Sequence, residues 1–373
     1  MKRFQTHILM VSGQATPNVL AVMDKSIRPD KVVLCATDDM RRNAEILAAY
    51  FTLHQISARI YELGSAYDFA ALQEKFLDLA ADFSGREPET GINLTGGTKL
   101  MTIAAQQVFW QDFPCFYINP ERNSILSVSE EGAPEYPIAG QLKISDFFAI
   151  HGYQVDTPAR KEMTEKTRLL CRTLLGEYSR YVDSLKELNY LAGEAKGTLV
   201  VRKSIPEKYW ELLKFFQDHG AIRYYDNNRI EFPDEESRRF CQGIWLEEWV
   251  GNELRELNRR VKLQDYASSI KIKSGTDTEN EIDAAFLYKN RLYLIECKAA
   301  DLGKDAKSAP PLYKLDSLHL RPGMFTEMIL ASYQPLDPYG KRRAADLGIQ
   351  VVEMSSLLGL ATCLEKMISP KGR

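Results

Sequence analysis

Short apolar blocks alternate with amphipathic stretches over residues 7–120. "HILMVSG", "KVVLCAT", "SARIYEL", "GINL" and "PCFYINP" are rich in aliphatic and β-branched residues, which predicts strands. Between them, "DMRRNAEILAAYFTLHQ" and "TKLMTIAAQQVFWQ" place apolar side chains at helical spacing. Strand and helix in alternation predict a parallel sheet with right-handed crossovers and helices on both faces. A Rossmann-like domain is therefore expected over residues 1–148.

The pattern then changes. "TRLLCRTLLGEYSRYVDSLKEL" spaces leucines for a helix in a charged background, which suits a solvated connector that also pairs between subunits. "PEKYWELLKFFQDHG" predicts a helix stopped by glycine, and "AIRYYDNNRIEF" a hairpin turning at Asp226, Asn227 and Asn228. A helix followed by a small hairpin is compatible with a winged-helix module, so a linker of that kind is expected over residues 149–240. Residues 241–373 resume the alternation. The helix "SRRFCQGIWLEEWVGNELREL" precedes strands "SIKIKSG", "EIDAAFLYK" and "RLYLIECKA", and "TEMILAS", "DPYGKRRAADLG" and "IQVVEMS" continue a second, mixed α/β domain.

Composition narrows the chemistry. With 373 residues, 45% of them hydrophobic and 27% charged, several soluble cores are expected. No apolar run approaches the ~20 residues of a membrane span, and "ILMV" is shorter than the roughly 7–15 apolar residues of a signal peptide. No membrane partner and a cytoplasmic location are expected. The six cysteines are scattered without a CxxC pair, and the five histidines show no HExxH or paired spacing. Acid chemistry thus falls to carboxylates. A net charge of −3 argues against a uniformly basic nucleic-acid coat but leaves room for a local basic groove.

Side chains alternate along a strand, so in "RLYLIECKA" Glu296 and Lys298 share one face while Cys297 points to the other. Asp283 lies on the preceding predicted strand, and Asn290 between them suits a hairpin turn that brings Asp283 beside Glu296. Two carboxylates near a lysine suit a hard divalent cation, Mg²⁺ or Mn²⁺, with the lysine orienting a water and stabilising charge on a phosphate. Upstream, "GIWLEEWV" offers two acids. Ile244, Trp245, Glu248 and Trp249 compete for the other helix faces, which makes Glu247 the preferred inward one. An isolated ExK on a strand is more often an exposed ion pair than a catalytic one; Asp283 and the acidic helix tip that balance.

This order of motifs resembles the PD-(D/E)xK nuclease superfamily over about residues 241–356, with Ile282 where many members carry proline. The resemblance implies a restriction-endonuclease-like fold in which Asp283 and Glu296 are metal ligands and Lys298 positions the water. Glu247 and the carbonyl of Cys297 are then further candidate ligands. Basic stretches "LGKDAKSAPPLYKL" and "YGKRRAADLG", with Tyr313, Tyr333 and Tyr339 interleaved, suit phosphate contacts and base stacking.

In the N-terminal domain, "NLTGGTKLM" follows a strand and opens a helix, an arrangement that aims backbone N–H groups at an anion. It is neither a Walker A loop nor GxGxxG. "SGQATPN" after the first strand is a second small polar loop, with a helix expected at Pro17. In a doubly wound sheet both loops can line one pocket. Ser12, Gln14, Thr16, Asn18 and Thr37, with Thr95, Gly96, Gly97, Thr98 and Lys99 of the cradle, are the candidate ligand-binding residues. The competing reading is a plain helix-entry turn.

Together, "VSGQATPN" and "NLTGGTKLM" resemble the CARF domain, a sensor of cyclic oligoadenylate in type III CRISPR defence; with the "IWLEEWV…NEID…LIECK" nuclease pattern the whole chain resembles the CARF-nuclease ancillary effectors. That resemblance implies a homodimer that binds cyclic tetra-adenylate across its two-fold axis. It implies activated cleavage of single-stranded DNA and RNA, or nicking of duplex DNA, with Mn²⁺ or Mg²⁺, in antiviral defence. The alternative is a ligand-responsive transcription regulator with an inert nuclease fold.

Overall fold

The computed structural model describes residues 1–128, 132, 134–158, 162–274, 279–299, 305–319 and 326–369, with 305–309 and 318–319 described by backbone alone. Residues 302–304 of the first basic stretch lie outside the described residues.

The N-terminal apolar blocks form β1 (Thr6–Met10), β2 (Lys31–Thr37), β3 (Ser57–Gly64), β4 (Thr90–Asn93) and β5 (Cys115–Asn119), all parallel. Their order is β3-β2-β1-β4-β5, so the winding direction reverses between β1 and β4. The loops that leave those two strands therefore lie side by side at the switch point. The sheet is not wholly parallel, as the sequence pattern suggested. A turn at residues 120–123, with Asn123 at φ 51°, returns the chain into β6 (Ser124–Ser127), and β7 (Tyr136–Pro137) follows antiparallel.

The middle region forms helices Glu165–Gly176, Tyr178–Glu194 and Trp210–His219 and a three-stranded antiparallel sheet. Before them comes β8 (Gln154–Asp156); the sheet consists of β9 (Val200–Arg202), β10 (Tyr224–Asp226) and β11 (Arg229–Glu231). The β10–β11 turn falls at the expected asparagines, where Asp226 Oδ1 accepts from the Asn228 N–H at 2.8 Å.

The C-terminal sheet contains β12 (Asp265–Lys273), β13 (Glu279–Tyr288), β14 (Arg291–Lys298), β15 (Thr326–Ser332) and β16 (Ile349–Glu353) in the order β16-β15-β14-β13-β12-β8. Strand β8 belongs to this sheet although it lies in the predicted linker; it pairs antiparallel with β12, Val155 opposite Ile272. The single helix expected from Ser237 onwards is broken. Gly243 adopts φ 142° between helices Glu235–Arg239 and Trp245–Val261, a backbone state in which glycine carries no Cβ penalty.

The cores explain why the middle region is more than a connector. One face of the C-terminal sheet (Ile270, Leu287, Leu292) shares a continuous apolar cluster with Phe147, Phe148 and the N-terminal sheet. The opposite face (Ala284, Phe286, Ile295) is covered by Trp245 and Trp249 together with Leu170, Leu174 and Leu188 of the middle helices. No described helix is long and apolar enough to cross a membrane.

Candidate functional site

β13 and β14 pair antiparallel as far as Ala284 opposite Ile295, so Asp283 and Glu296 come together one step beyond. Asp283 is 6% exposed and its Oδ2 accepts the Cys297 backbone N–H at 2.7 Å. Glu296 is 1% exposed and gripped from two sides: Lys298 Nζ lies 2.6 Å from Oε1, and Lys314 Nζ 2.6 Å from Oε2. Lys314 also reaches to 3.7 Å from Asp283 Oδ1.

Burial and mutual repulsion shape the charge state. Burial, then Asp283 and Glu281 beside it, push the Glu247 carboxyl up to about 8; burial and Glu296 push Asp283 up to about 6 against the pull of Lys314. Burial alone would lower the Lys298 ammonium, but Glu296 outweighs it and the net shift is upwards. Helix register separates the two candidate acids. Glu247 faces the carboxylates of β13 and β14, whereas Glu248 lies beside Cys171.

Asp283, Glu296 and Lys298 thus meet in one place and Glu247 faces them, with Cys297 contributing its N–H and turning its thiol into the core. Among the described residues, Glu296 Oε1 has no well-aligned hydrogen-bond donor, although Lys298 Nζ stands 2.6 Å away. Buried carboxylate oxygens gathered in a shared negative cluster are the donor chemistry of a hard divalent cation. Among the described residues, no three His, Cys, Asp or Glu side chains are close enough to share an ion; ammonium groups stand against Glu296 instead. Sequence reasoning passed over Lys314. Its only signal was membership of the basic stretch after the ExK strand.

Beyond Lys314, on helix Asp305–His319, Tyr313 is 46% exposed. The Arg343 guanidinium lies 4.5 Å over its ring and 5.8 Å from that of Tyr339, and hydrogen-bonds both hydroxyls. Tyr333, grouped with them on sequence, is a correction: it is fully buried, stacked edge-on against Trp245 at 5.3 Å, and its hydroxyl donates to the Leu174 carbonyl.

At the switch point, the two N-terminal loops are bolted together. Asn18 Nδ2 donates to the Met10 carbonyl at 2.8 Å while its Oδ1 accepts from Asn93 Nδ2 at 3.1 Å. Asn93 Oδ1 accepts from both the N–H and the hydroxyl of Thr95, whose Oγ1 in turn accepts from the Ile118 N–H at 2.8 Å. Gly97 takes φ 83°, and Thr98 caps helix Lys99–Phe109, its Oγ1 accepting from the Met101 N–H. Asn18, Thr16 and Thr37 are buried. Of the three, Asn18 joins the two loops, while Thr16 Oγ1 has no hydrogen-bond partner among the described residues. Ser12 and Gln14 are half-exposed in a local turn, and Lys99 is exposed at the helix start. Beside the cradle runs an apolar groove of about 540 Å³ lined by Leu94, Ile103, Gln106, Tyr117, Leu126 and Val128.

Residues 6–147 match the family model of the Card1 CARF domain, and residues 234–368 that of the Card1-like endonuclease domain. No curated protein matches the chain closely enough to count as a relative. Among solved structures, the protein VC1899 from Vibrio cholerae is 22% identical with a TM-score of 0.84, covering 97% of each chain. Can2 from Sulfobacillus thermosulfidooxidans, in complex with cyclic tetra-adenylate, is 23% identical with a TM-score of 0.83, covering 98% of this chain and 99% of its own. A type III CRISPR defence DNA nuclease activated by cyclic oligoadenylate is 14% identical, TM-score 0.53, with 91% of this chain covering 48% of that one. At these identities the likeness is one of fold.

Proposed function

Because this chain joins a domain of the Card1 CARF family to one of the Card1-like endonuclease family, we propose that it is a nuclease switched on by a cyclic oligoadenylate in type III CRISPR defence. The observation that carries the catalytic half is the buried Glu296, held between Lys298 and Lys314 and next to Asp283. Opposed charges are drawn out of water there at a cost that a purely structural ion pair seldom repays.

Asp283, Glu296 and Glu247, which stand too far apart to share an ion in this arrangement, would have to draw together to hold Mg²⁺ or Mn²⁺, with the carbonyl of Cys297 as a further ligand. When bound, the ion supplies Lewis-acid polarisation of the phosphate and lowers the pKa of water. The residues of the chain do the rest. Glu296 keeps the Lys298 ammonium charged and pointed into the cluster, where it orients the attacking water and stabilises negative charge on the phosphate oxygens. Lys314 offsets the remaining repulsion between Asp283 and Glu296. The Tyr313, Arg343 and Tyr339 cluster next to Lys314 suits stacking of unpaired bases, which favours single-stranded DNA and RNA as substrates over duplex DNA, where nicking is expected.

The sensor half rests on the cradle at the switch point. Thr95, Gly96, Gly97, Thr98 and Lys99 with Ser12 and Gln14 would take the phosphates, riboses and bases of cyclic tetra-adenylate, the ligand named for Can2. A ring of four identical nucleotides can lie on a two-fold axis, so a homodimer supplies the same loops to both halves; the exposed apolar groove of Ile103 and Tyr117 supports such a pairing. The setting is cytoplasmic.

The test uses labelled single-stranded DNA, RNA and duplex DNA, with and without cyclic tetra-adenylate, in Mn²⁺, Mg²⁺ or EDTA. Cleavage that needs both metal and ligand is expected. Activity indifferent to the ligand would remove the gating, and activity in EDTA would remove the metal.

A further inference from the structure

The turn between β13 and β14, the strands that carry Asp283 and Glu296, has one residue in water, Lys289, and one turned into the protein, Asn290. It comprises Lys289 and Asn290, both left-handed with φ 49° and 59°, and Asn290 is 3% exposed. Its side-chain oxygen accepts from the Leu142 N–H at 3.3 Å and from Gln264 Nε2 at 2.8 Å. Its amide nitrogen donates to Asn123 Oδ1 and to the Gly140 carbonyl, both at 2.9 Å. Two acceptor and two donor bonds are all that a carboxamide makes in ordinary geometry, and three of these four run to the N-terminal domain.

The peptide at residues 139–140 is clamped from its other side. Asp24, fully buried, accepts the Ala139 N–H at 2.6 Å and the Gly140 N–H at 3.2 Å through Oδ2. A Cβ on Gly140 would lie only 3.0 Å from the Asp24 backbone, so the two segments touch without room for a side chain. Asp24 directly follows helix Thr16–Met23, whose other end opens from the polar loop at residues 12–14 beside the cradle. That helix is eight residues long, a rigid strut of about 12 Å. A continuous chain of packed and hydrogen-bonded groups thus runs from loop to strut, from strut to Asp24, through 139–140 to Asn290, and into the two acid-bearing strands.

We propose that Asn290 is a positioning residue that ties the placement of Asp283 and Glu296 to the state of the ligand loop. The proposal rests on the ligand-gated nuclease reading above. When the loop end of the strut shifts, Asp24 shifts with it. The hairpin must then follow or give up buried hydrogen bonds, and either response moves the carboxylates relative to Lys314, which sits on a different element. Coupling between two sites typically changes affinity by about 5–150-fold.

Glycine is the informative replacement, because φ 59° at Asn290 and φ 51° at Asn123 are free of strain for it. The full-length parent, Asn290→Gly and Asn123→Gly are compared for cyclic tetra-adenylate binding by calorimetry. Each is also assayed for cleavage of labelled single-stranded DNA with and without that ligand at fixed Mn²⁺. Asn290→Gly is expected to bind ligand stoichiometrically but to lose about tenfold or more in the ratio of stimulated to unstimulated cleavage. Asn123→Gly, which removes one of the four bonds, is expected to lose less. A purely structural role would lower both rates by the same factor and leave the ratio unchanged, which overturns the proposal. A parent that ligand does not stimulate overturns the gating reading and this proposal with it. If Asn290→Gly fails to fold, the same ratio in Asn123→Gly decides: a parental ratio overturns the proposal, a reduced one upholds it.

Discussion

A Cβ at Gly96 would fall well inside van der Waals contact with the Met10 carbonyl oxygen, which also receives the Asn18 amide. Gly96→Ala must push the β1 and β4 loops apart, and a loss of roughly 1–3 kcal/mol in urea midpoint stability is expected. Ligand binding should weaken alongside it. At the acid site, Glu296→Gln and Lys298→Ala are each expected to cut stimulated cleavage by about 100-fold or more while calorimetric ligand binding stays at the parental level. Lys314→Met tests the residue that the sequence left unmarked. Glu296 keeps one ammonium, so a smaller fall, on the order of tenfold, is expected, and parental activity would make Lys314 a bystander. Glu296 and Lys298 were legible because alternation along a strand is a local rule. Lys314 was not, because its reach depends on how helix Asp305–His319 packs across the sheet.

Strand β1 carries a pH dependence of its own. His7 is fully buried against Phe4 and Phe116, and among the described residues neither ring nitrogen has a well-formed hydrogen bond. Burial pushes its pKa down to about 3 from the ordinary 6.5. The unfolded chain therefore binds this proton more readily than the folded one. The contribution is fully present above about pH 6.5 and is lost as pH falls towards 3, at about 1.4 kcal/mol per pH unit. His7→Leu should flatten that dependence in urea unfolding between pH 5 and 7; an unchanged slope would assign it elsewhere. Other elements show where local pattern fails. The predicted helix is broken at Gly243, φ 142°, and beyond it Trp245 and Trp249 pack in one core with Phe286 and Ile295. Asn290 was legible as a turn residue, yet its burial against Gly140 is not written in any local pattern.

Across the whole molecule, the C-terminal sheet is completed by segments distant in sequence. β8 closes its β12 edge, and the middle helices cover the face that bears Phe286 and Ile295. A fragment of residues 241–373 would expose that face and leave β12 an open edge. It is expected to aggregate or to melt without a cooperative transition, whereas the full chain unfolds as one unit through its shared core; a soluble, cooperatively folded fragment would contradict this. Direct packing of Phe147 and Phe148 on the C-terminal sheet also places the two domains in contact, where the sequence had suggested a solvated connector between them.

What the sequence determined by itself is whatever depends on near neighbours in the chain: the parallel strands, the glycine cradle opening a helix, the Asp283 and Glu296–Lys298 pairing across one hairpin, and which of Glu247 and Glu248 faces that hairpin. Tertiary structure alone decided which polar groups are buried and against what. It turned Asn18, Thr16, Thr37 and Tyr333 inwards, brought Lys314 onto Glu296, and sank Asn290 between two domains. Periodicity states which side of an element a residue occupies, but burial depends on what packs there, and that partner is supplied by segments far along the chain.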